Sequence, residues 1–147
     1  KAAELKGWDV ELQHAREGWT KTDHMETITD LKETQWVDFA GTVIYRTELD
    51  IDGTPDKNTI LNLGKVYGIS QLFVNGEDCG IKWFGNRIYP IGEKLHTGSN
   101  KIEVRVVTVL GNYMHSLTDN ETAQKFTAGR KEWPTLSLGI VGPVTLY

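Results

Sequence analysis

The sequence predicts a single all-β sandwich spanning residues 1–147, and three observations predict it. Two long segments alternate between apolar and polar residues with a period of two, as strands of a half-buried sheet do. An Asn-Gly pair separates two apolar runs, which is the pattern of a tight β-hairpin. Turn residues recur at a spacing of roughly 8–12 residues, which is typical of sandwiches and barrels. A length of 147 residues suits one domain.

The longest predicted strand runs from Thr42 to Ile51. One of its faces carries Val43, Tyr45, Thr47, Leu49 and Ile51, and the opposite face is mostly polar. A second strand runs from Lys101 to Val109 and places Ile102, Val104 and Val106 on one face. Because alternate residues of a strand point to opposite sides of its sheet, both segments predict antiparallel strands with one buried face.

Shorter strands complete the predicted fold. Gln71 to Val74 leads through Asn75-Gly76 into Gly80 to Phe84, which together form the predicted hairpin. Weaker strand signals cover Trp8 to Leu12, Ile60 to Leu63, Arg87 to Ile91 and Val141 to Tyr147. Helix signals are sparse, so we expect a long loop over Thr118 to Lys131. We expect a second long loop over Glu17 to Thr34, with one short amphipathic turn in it.

Charge and cysteine content restrict the classes of function. The chain has 16 basic and 20 acidic residues, a net charge of -4 and no long run of like charges, so we expect no nucleic-acid partner. No apolar run is long enough to span a bilayer, so we expect no membrane partner. Cys79 is the only cysteine, and we expect a small buried side chain. Because the chain starts at Lys1, we expect a fragment of a longer protein.

Carboxylates and histidines suggest no catalytic or metal site. Glycoside hydrolysis needs two carboxyl groups flanking the scissile bond, and the sequence identifies no such pair, although Glu48 and Asp50 alternate onto one strand face. We interpret that pair as solvated and predict no catalytic residue. The four histidines, His14, His24, His96 and His115, are scattered. The Asp50-Ile51-Asp52-Gly53 turn offers two carboxylates to a calcium ion but lacks the further ligands of a calcium loop, so no cofactor is predicted.

Aromatic residues are the most distinctive feature of the composition, with five tryptophans and five tyrosines. We expect Trp8, Trp36 and Tyr45 in the core, because their neighbours are apolar. Trp83, Tyr89, Tyr113 and Trp133 border loops, where a flat ring can stack on a pyranose face. Arg87 and Asn112 could supply donors to the hydroxyl groups. The predicted carbohydrate-binding residues are therefore Trp83, Arg87, Tyr89, Asn112 and Tyr113.

Six segments carry a resemblance to a known family. They are Gly41 to Leu49, Leu63 to Val66, Leu72 to Gly80, Arg87 to Ile91, Gly98 to Val106 and Gly139 to Tyr147. In this order and spacing, the Val-Asn-Gly and Gly-Ser-Asn motifs resemble the sugar-binding domain of family 2 glycoside hydrolases. That domain also occurs in related α-L-rhamnosidases and β-galactosidases of carbohydrate-degrading bacteria.

The resemblance implies a galactose-binding-like jelly roll that packs against a catalytic barrel domain of the same parent chain. It also implies a periplasmic or extracellular parent enzyme, in which the barrel carries both catalytic carboxylates. An accessory domain that acts as scaffold or contacts an oligo- or polysaccharide is the first hypothesis. An autonomous carbohydrate-binding module, a complete small enzyme and an adhesion domain stay open. A scaffold should expose an apolar flank, whereas a binding module should expose aromatic rings in one patch.

Overall fold

The computed structural model describes residues 3–108 and 136–147, and it contains no α-helix among them. Two short 3-10 turns, Leu31–Glu33 and Gly92–Lys94, interrupt an otherwise β-rich chain. The strands are β1 (Ala3–Glu4), β2 (Trp8–His14), β3 (Thr20–Met25), β4 (Gly41–Ile51), β5 (Ile60–Asn62), β6 (Lys65–Tyr67), β7 (Ile69–Val74), β8 (Glu77–Lys82), β9 (Ile88–Pro90), β10 (Gly98–Val107), β11 (Gly139–Gly142) and β12 (Thr145–Leu146).

These strands form antiparallel sheets around one apolar core, which confirms the predicted all-β sandwich. The larger sheet has six strands in the order β3-β2-β4-β10-β7-β8. A four-stranded sheet has the order β1-β12-β5-β9, and β11 pairs separately with β6. Leu61 and Tyr89 of the smaller sheet are buried in the same core cluster as the inward-facing residues of the larger one.

The centre of the larger sheet is the long ladder between β4 and β10. Val43 pairs with Val106 and Tyr45 with Val104, and all four side chains are buried. Burying a single valine side chain stabilises a fold by about 1.5–3 kcal/mol. The alternation predicted for both segments is therefore confirmed, and burial of one face is what sets the register.

The predicted Asn-Gly hairpin is also confirmed, between β7 and β8. Asn75 and Gly76 adopt φ angles of 53° and 82°, which asparagine and glycine tolerate better than other residues. The Asn75 carboxamide donates to the Asn100 side-chain oxygen across 2.9 Å and accepts from the Lys101 backbone across 2.9 Å. The turn is thus fixed both by its backbone angles and by neighbouring segments.

The loop predicted over Glu17 to Thr34 is wrong in part, because this segment contains β3 as well as one 3-10 turn. Strand β3 is the edge of the six-stranded sheet, and Met25 is its only buried residue. A strand exposed on both faces has no apolar alternation to reveal it. Cys79 is half-buried rather than fully buried. The predicted loop over Thr118 to Lys131 lies outside the described residues.

Asp30 and Tyr45 hold the C-terminal strands against the sandwich. The Asp30 carboxylate accepts from the backbone N–H groups of Lys32 and Leu138, both across 3.0 Å. The Tyr45 hydroxyl accepts from the Ile140 N–H across 3.2 Å, and its complete burial raises the pKa of Tyr45. Both acceptors therefore satisfy buried backbone donors that would otherwise be costly.

Candidate functional site

Trp83 follows the last residue of β8, at the edge of the six-stranded sheet, and its side chain reaches the surface. Trp83 is 69% exposed and Phe84 is 85% exposed. Ile81 lies two residues earlier on β8 and is 53% exposed. Ile69 on β7 and Val107 on β10 are also exposed and pair directly in the ladder. We call these five residues the apolar flank.

The strand register places Ile69, Ile81 and Val107 of the apolar flank on one face of the sheet, and Trp83 and Phe84 follow directly after β8. Directly paired residues of an antiparallel sheet place their Cβ atoms about 4.5–5.5 Å apart, and Ile69 and Val107 are such a pair. Ile81 pairs with Gln71, which points to the same face as Ile69 and is two residues away on β7. Exposed apolar groups gathered in one place, unlike single ones, mark an interaction surface.

Arg87 is buried behind the apolar flank, with 4% of its surface exposed. Its Nη1 donates to the Ser70 hydroxyl across 3.1 Å, and its Nη2 donates to the Trp83 carbonyl oxygen across 3.0 Å. The buried Nε has no hydrogen-bond partner. Burial lowers the pKa of Arg87, an effect that Tyr89 partly opposes. Arg87 therefore fixes the backbone that presents Trp83.

Tyr89 belongs to the same internal network and is also buried. Its hydroxyl lies 2.9 Å from the Ser70 hydroxyl and 3.3 Å from the Ser70 carbonyl oxygen. The Lys82 ammonium lies 5.2 Å from the centre of the Tyr89 ring. Burial raises the pKa of the Tyr89 hydroxyl, although the bond to Ser70 acts in the opposite direction.

The five predicted carbohydrate-binding residues thus differ in exposure and in whether the structure describes them. Trp83 exposes its ring, whereas Arg87 and Tyr89 use their polar atoms inside the domain. Asn112 and Tyr113 lie outside the described residues, as does Trp133. Sequence reasoning missed the burial of Arg87, because arginine is rarely buried without a charged partner. The assignment of these five residues to sugar binding stays a prediction.

A concave region lies at the β3 edge of the six-stranded sheet, opposite to the β8 edge, where the hairpin between β2 and β3 meets the segment before β4. The cavity has a volume of about 280 Å³. Its rings are Trp19 and Trp36, whose centres are 6.1 Å apart with the planes inclined by 42°. Other lining residues are His14, Glu17, Lys21, Gln35, Asp38 and Phe39. We call this region the aromatic pocket.

The aromatic pocket was not predicted from the sequence. Trp36, which the sequence predicts in the core, packs against the core but is only partly buried, and none of the predicted sites includes Trp19. The available signal was at Trp19, whose sequence neighbours from Glu17 to Lys21 are polar or glycine, so its ring has no apolar stripe to join. Their approach depends on the β2–β3 hairpin, whose second strand was not predicted.

The outer face of the six-stranded sheet carries mostly charged side chains. Arg46 contacts Glu11 across 3.0 Å and Glu103 across 2.9 Å, and Arg105 contacts Glu103 across 2.7 Å. A shallow cavity of about 690 Å³ follows this face. Glu48, one of the two carboxylates considered for catalysis, accepts from the Ser99 hydroxyl across 2.7 Å. Arg46, Arg105, Glu11 and Glu103 thus form a solvated ladder of ion pairs, which we call the charge ladder.

Metal and membrane features are absent from the part of the chain that the structure describes. Residues 3–108 and 136–147 contain no group of three or more His, Cys, Asp or Glu side chains placed to hold a metal ion. The same residues include no helix long and apolar enough to cross a membrane.

Comparison with known proteins identifies similar solved structures. Over 99% of its length the chain is similar to a rhamnosidase from Novosphingobium sp. PP1Y, with a TM-score of 0.79 and 25% sequence identity. A GH2 β-galacturonidase from Eisenbergiella tayi is similar over 99% of the chain, with a TM-score of 0.67 and 16% identity. A β-D-glucuronidase from Dictyoglomus thermophilum is similar over 73% of the chain, with a TM-score of 0.59 and 20% identity.

These structural neighbours are glycoside hydrolases, and each is much longer than this chain. The chain spans 15% of the rhamnosidase, 24% of the β-galacturonidase and 19% of the β-D-glucuronidase. No family model matches the sequence. No curated protein matches it either. The likeness therefore shows the fold and its occurrence as a small part of large hydrolases.

Proposed function

We propose that this chain is a non-catalytic accessory domain of a bacterial glycoside hydrolase, with the galactose-binding-like jelly-roll fold. The observation that carries the proposal is the structural match over 99% of this chain to 15% of a rhamnosidase. A match to so small a part of an enzyme supports an accessory role for this domain. The parent protein proposed here is periplasmic or extracellular, as the resemblance implies.

In this proposal the apolar flank packs against the catalytic barrel domain of the same parent chain. Its exposed atoms are mainly aliphatic and aromatic carbon, contributed by Ile69, Ile81, Val107, Trp83 and Phe84. An interface between domains of one chain buries apolar surface of this kind. Arg87 supports this role, because its bond to the Trp83 carbonyl oxygen presents the indole from a fixed backbone.

The alternative is an autonomous carbohydrate-binding module whose site is built around Trp83. A pyranose needs hydrogen-bond donors and acceptors beside the stacking ring. The nearest predicted donor, Arg87, uses Nη1 and Nη2 for Ser70 and for the Trp83 carbonyl oxygen. This arrangement supports docking at the apolar flank over sugar binding there. Any contact with an oligo- or polysaccharide through Asn112 and Tyr113 stays a prediction.

The variant Ile81→Lys tests the docking role, with Thr22→Lys as the matched control. Both positions are exposed on the outer side of the same sheet, at opposite edges, and both variants add one positive charge. In the isolated chain, each variant should change the free energy of unfolding by less than about 0.5 kcal/mol. In the full-length parent enzyme, Ile81→Lys should lower the melting temperature of this domain, whereas Thr22→Lys should not. Equal melting temperatures of this domain for the two variants of the full-length parent would contradict the proposal.

A further inference from the structure

We propose that the aromatic pocket is a binding site for one neutral hexopyranose unit. The pocket is formed by the β3 side of the six-stranded sheet, and the apolar flank by the β8 side, which is the opposite edge. The inference therefore goes beyond the docking role and does not depend on it. Both surfaces can be occupied at the same time.

The walls of the pocket are two indole rings held at an angle. Trp19 and Trp36 are inclined by 42° with their centres 6.1 Å apart. Phe39 lies behind them, buried, with its ring centre 5.8 Å from that of Trp19. Inclined rings of this kind can cover the apolar C–H face of a pyranose. The volume of about 280 Å³ is below the roughly 300–1,000 Å³ that drug-sized ligands need, which suits a single sugar ring.

Hydrogen bonds orient both indoles before any ligand arrives. The Trp19 Nε1 donates to Glu17 across 2.8 Å, and the Trp36 Nε1 donates to Asp23 across 2.7 Å. The bond from Trp36 lowers the pKa of Asp23. His14 in turn accepts at Nδ1 from the Glu17 N–H across 3.1 Å, which steadies the turn that carries Glu17. Rings that are already oriented lose less entropy when they bind a ligand.

Polar side chains at the rim can satisfy the hydroxyl groups of the sugar. Glu17, Gln35 and Asp38 are exposed at the edge of the pocket, and carboxylate oxygens accept readily from hydroxyl donors. The Lys21 ammonium lies 4.5 Å from the centre of the Trp19 ring. A cation on an exposed ring is held by only about 0.5–1 kcal/mol, so a sugar can displace it. The ammonium can then donate to a sugar oxygen.

Charge restricts the sugar to a neutral one. Among the described residues that line the pocket, Glu17 and Asp38 carry carboxylates and Lys21 carries the only ammonium. The Asp23 carboxylate adds a further negative charge where it accepts from the Trp36 Nε1, so these groups together are negatively charged. A uronic acid would bring a further carboxylate into this field, and like charges repel. A neutral hexopyranose or 6-deoxyhexopyranose carries no such penalty.

The indole N–H signals of the chain in a two-dimensional NMR spectrum provide the test. Titration with methyl β-D-galactopyranoside and with L-rhamnose should shift the Trp19 and Trp36 indole signals. For at least one of the two sugars, the shift should reach saturation at millimolar concentrations. The Trp83 indole signal should stay in place. Glucuronic acid at neutral pH should bind at least about ten-fold more weakly, which corresponds to about 1.4 kcal/mol.

Variants separate binding at this pocket from a general effect on the fold. Trp19→Phe keeps a ring in the packing position and should weaken sugar binding at least about five-fold, whereas Trp83→Phe should leave it unchanged. Asp38→Asn removes an exposed negative charge and should therefore reduce the difference in affinity between the neutral sugar and glucuronic acid. No shift at about 100 mM of either neutral sugar would overturn the proposal. So would equal binding of glucuronic acid, or shifts confined to Trp83.

Discussion

The Arg87 guanidinium donates to the Trp83 carbonyl oxygen across 3.0 Å, so a buried cation fixes the backbone that presents an exposed indole. The same guanidinium donates to the Ser70 hydroxyl, which also contacts the Tyr89 hydroxyl. These four residues link the end of β8 to β7 and β9. The geometry of the apolar flank therefore depends on polar bonds behind it.

Substitution of Ser70 tests this internal network. Ser70→Ala removes the hydroxyl that Arg87 and Tyr89 contact, and both partners are buried. Leaving buried polar groups without partners should lower the free energy of unfolding by about 1–3 kcal/mol. Urea denaturation of the isolated chain measures this change. Tyr89→Phe leaves the bond between Arg87 and the Ser70 hydroxyl in place and should therefore cost less. A cost below about 0.5 kcal/mol for Ser70→Ala would show that the network does not stabilise the fold.

Asp30 provides a second test, at the junction with the C-terminal strands. Asp30→Ala removes the acceptor of the Lys32 and Leu138 N–H groups and should lower the free energy of unfolding by about 1–3 kcal/mol. Amide hydrogen exchange at Leu138 should accelerate more than exchange at Val104 in the central ladder. Asp30→Asn keeps an acceptor oxygen and should recover part of the loss. Unchanged exchange at Leu138 would contradict the proposed attachment.

The charge ladder on the outer sheet predicts loss of stability in acid. Partial burial acts to raise the pKa of Glu103, but hydrogen bonds from Arg46 and Arg105 outweigh it and lower the pKa below 4.5. A carboxyl group whose pKa is lower in the folded state stabilises the fold above its unfolded pKa. That contribution is lost as the pH falls from about 4.5 through the lowered value.

The variant Glu103→Gln isolates this contribution. Its unfolding free energy should fall less steeply than that of the unmodified chain between pH 5 and pH 3, both measured by urea denaturation. Because Arg46 and Arg105 are about half exposed, solvent screening keeps the difference small. Parallel curves for the two proteins would show that Glu103 does not contribute to the pH dependence.

The sequence predicts the central strands well and the edges poorly, for a physical reason. Strands β4 and β10 bury one face each, so their pattern of alternate apolar residues identifies them. Strand β3 is exposed along most of its length and has no such pattern. Edge strands are held by one neighbour and by backbone bonds, which any residue except proline supplies.

The same distinction applies to the candidate sites. The sequence predicts that Trp83 borders a loop, and its side chain is exposed. The burial of Arg87 depends on Ser70, a residue of another strand, and on the carbonyl oxygen of Trp83. The aromatic pocket depends on the contact between the rings of Trp19 and Trp36. These two residues lie in different segments, which come close together only when β3 forms. Contacts of this kind leave no periodic trace in a sequence.

The proposed docking of the apolar flank on the rest of the parent enzyme is the central claim, and amide hydrogen exchange tests it most directly. Exchange is measured for the isolated chain and for the same residues in the full-length parent. The account predicts slower exchange in the parent at Trp83, Phe84 and the exposed edge of β8, with unchanged exchange along β3 at the opposite edge. Identical exchange at Trp83, Phe84 and β8 in the two proteins would contradict it.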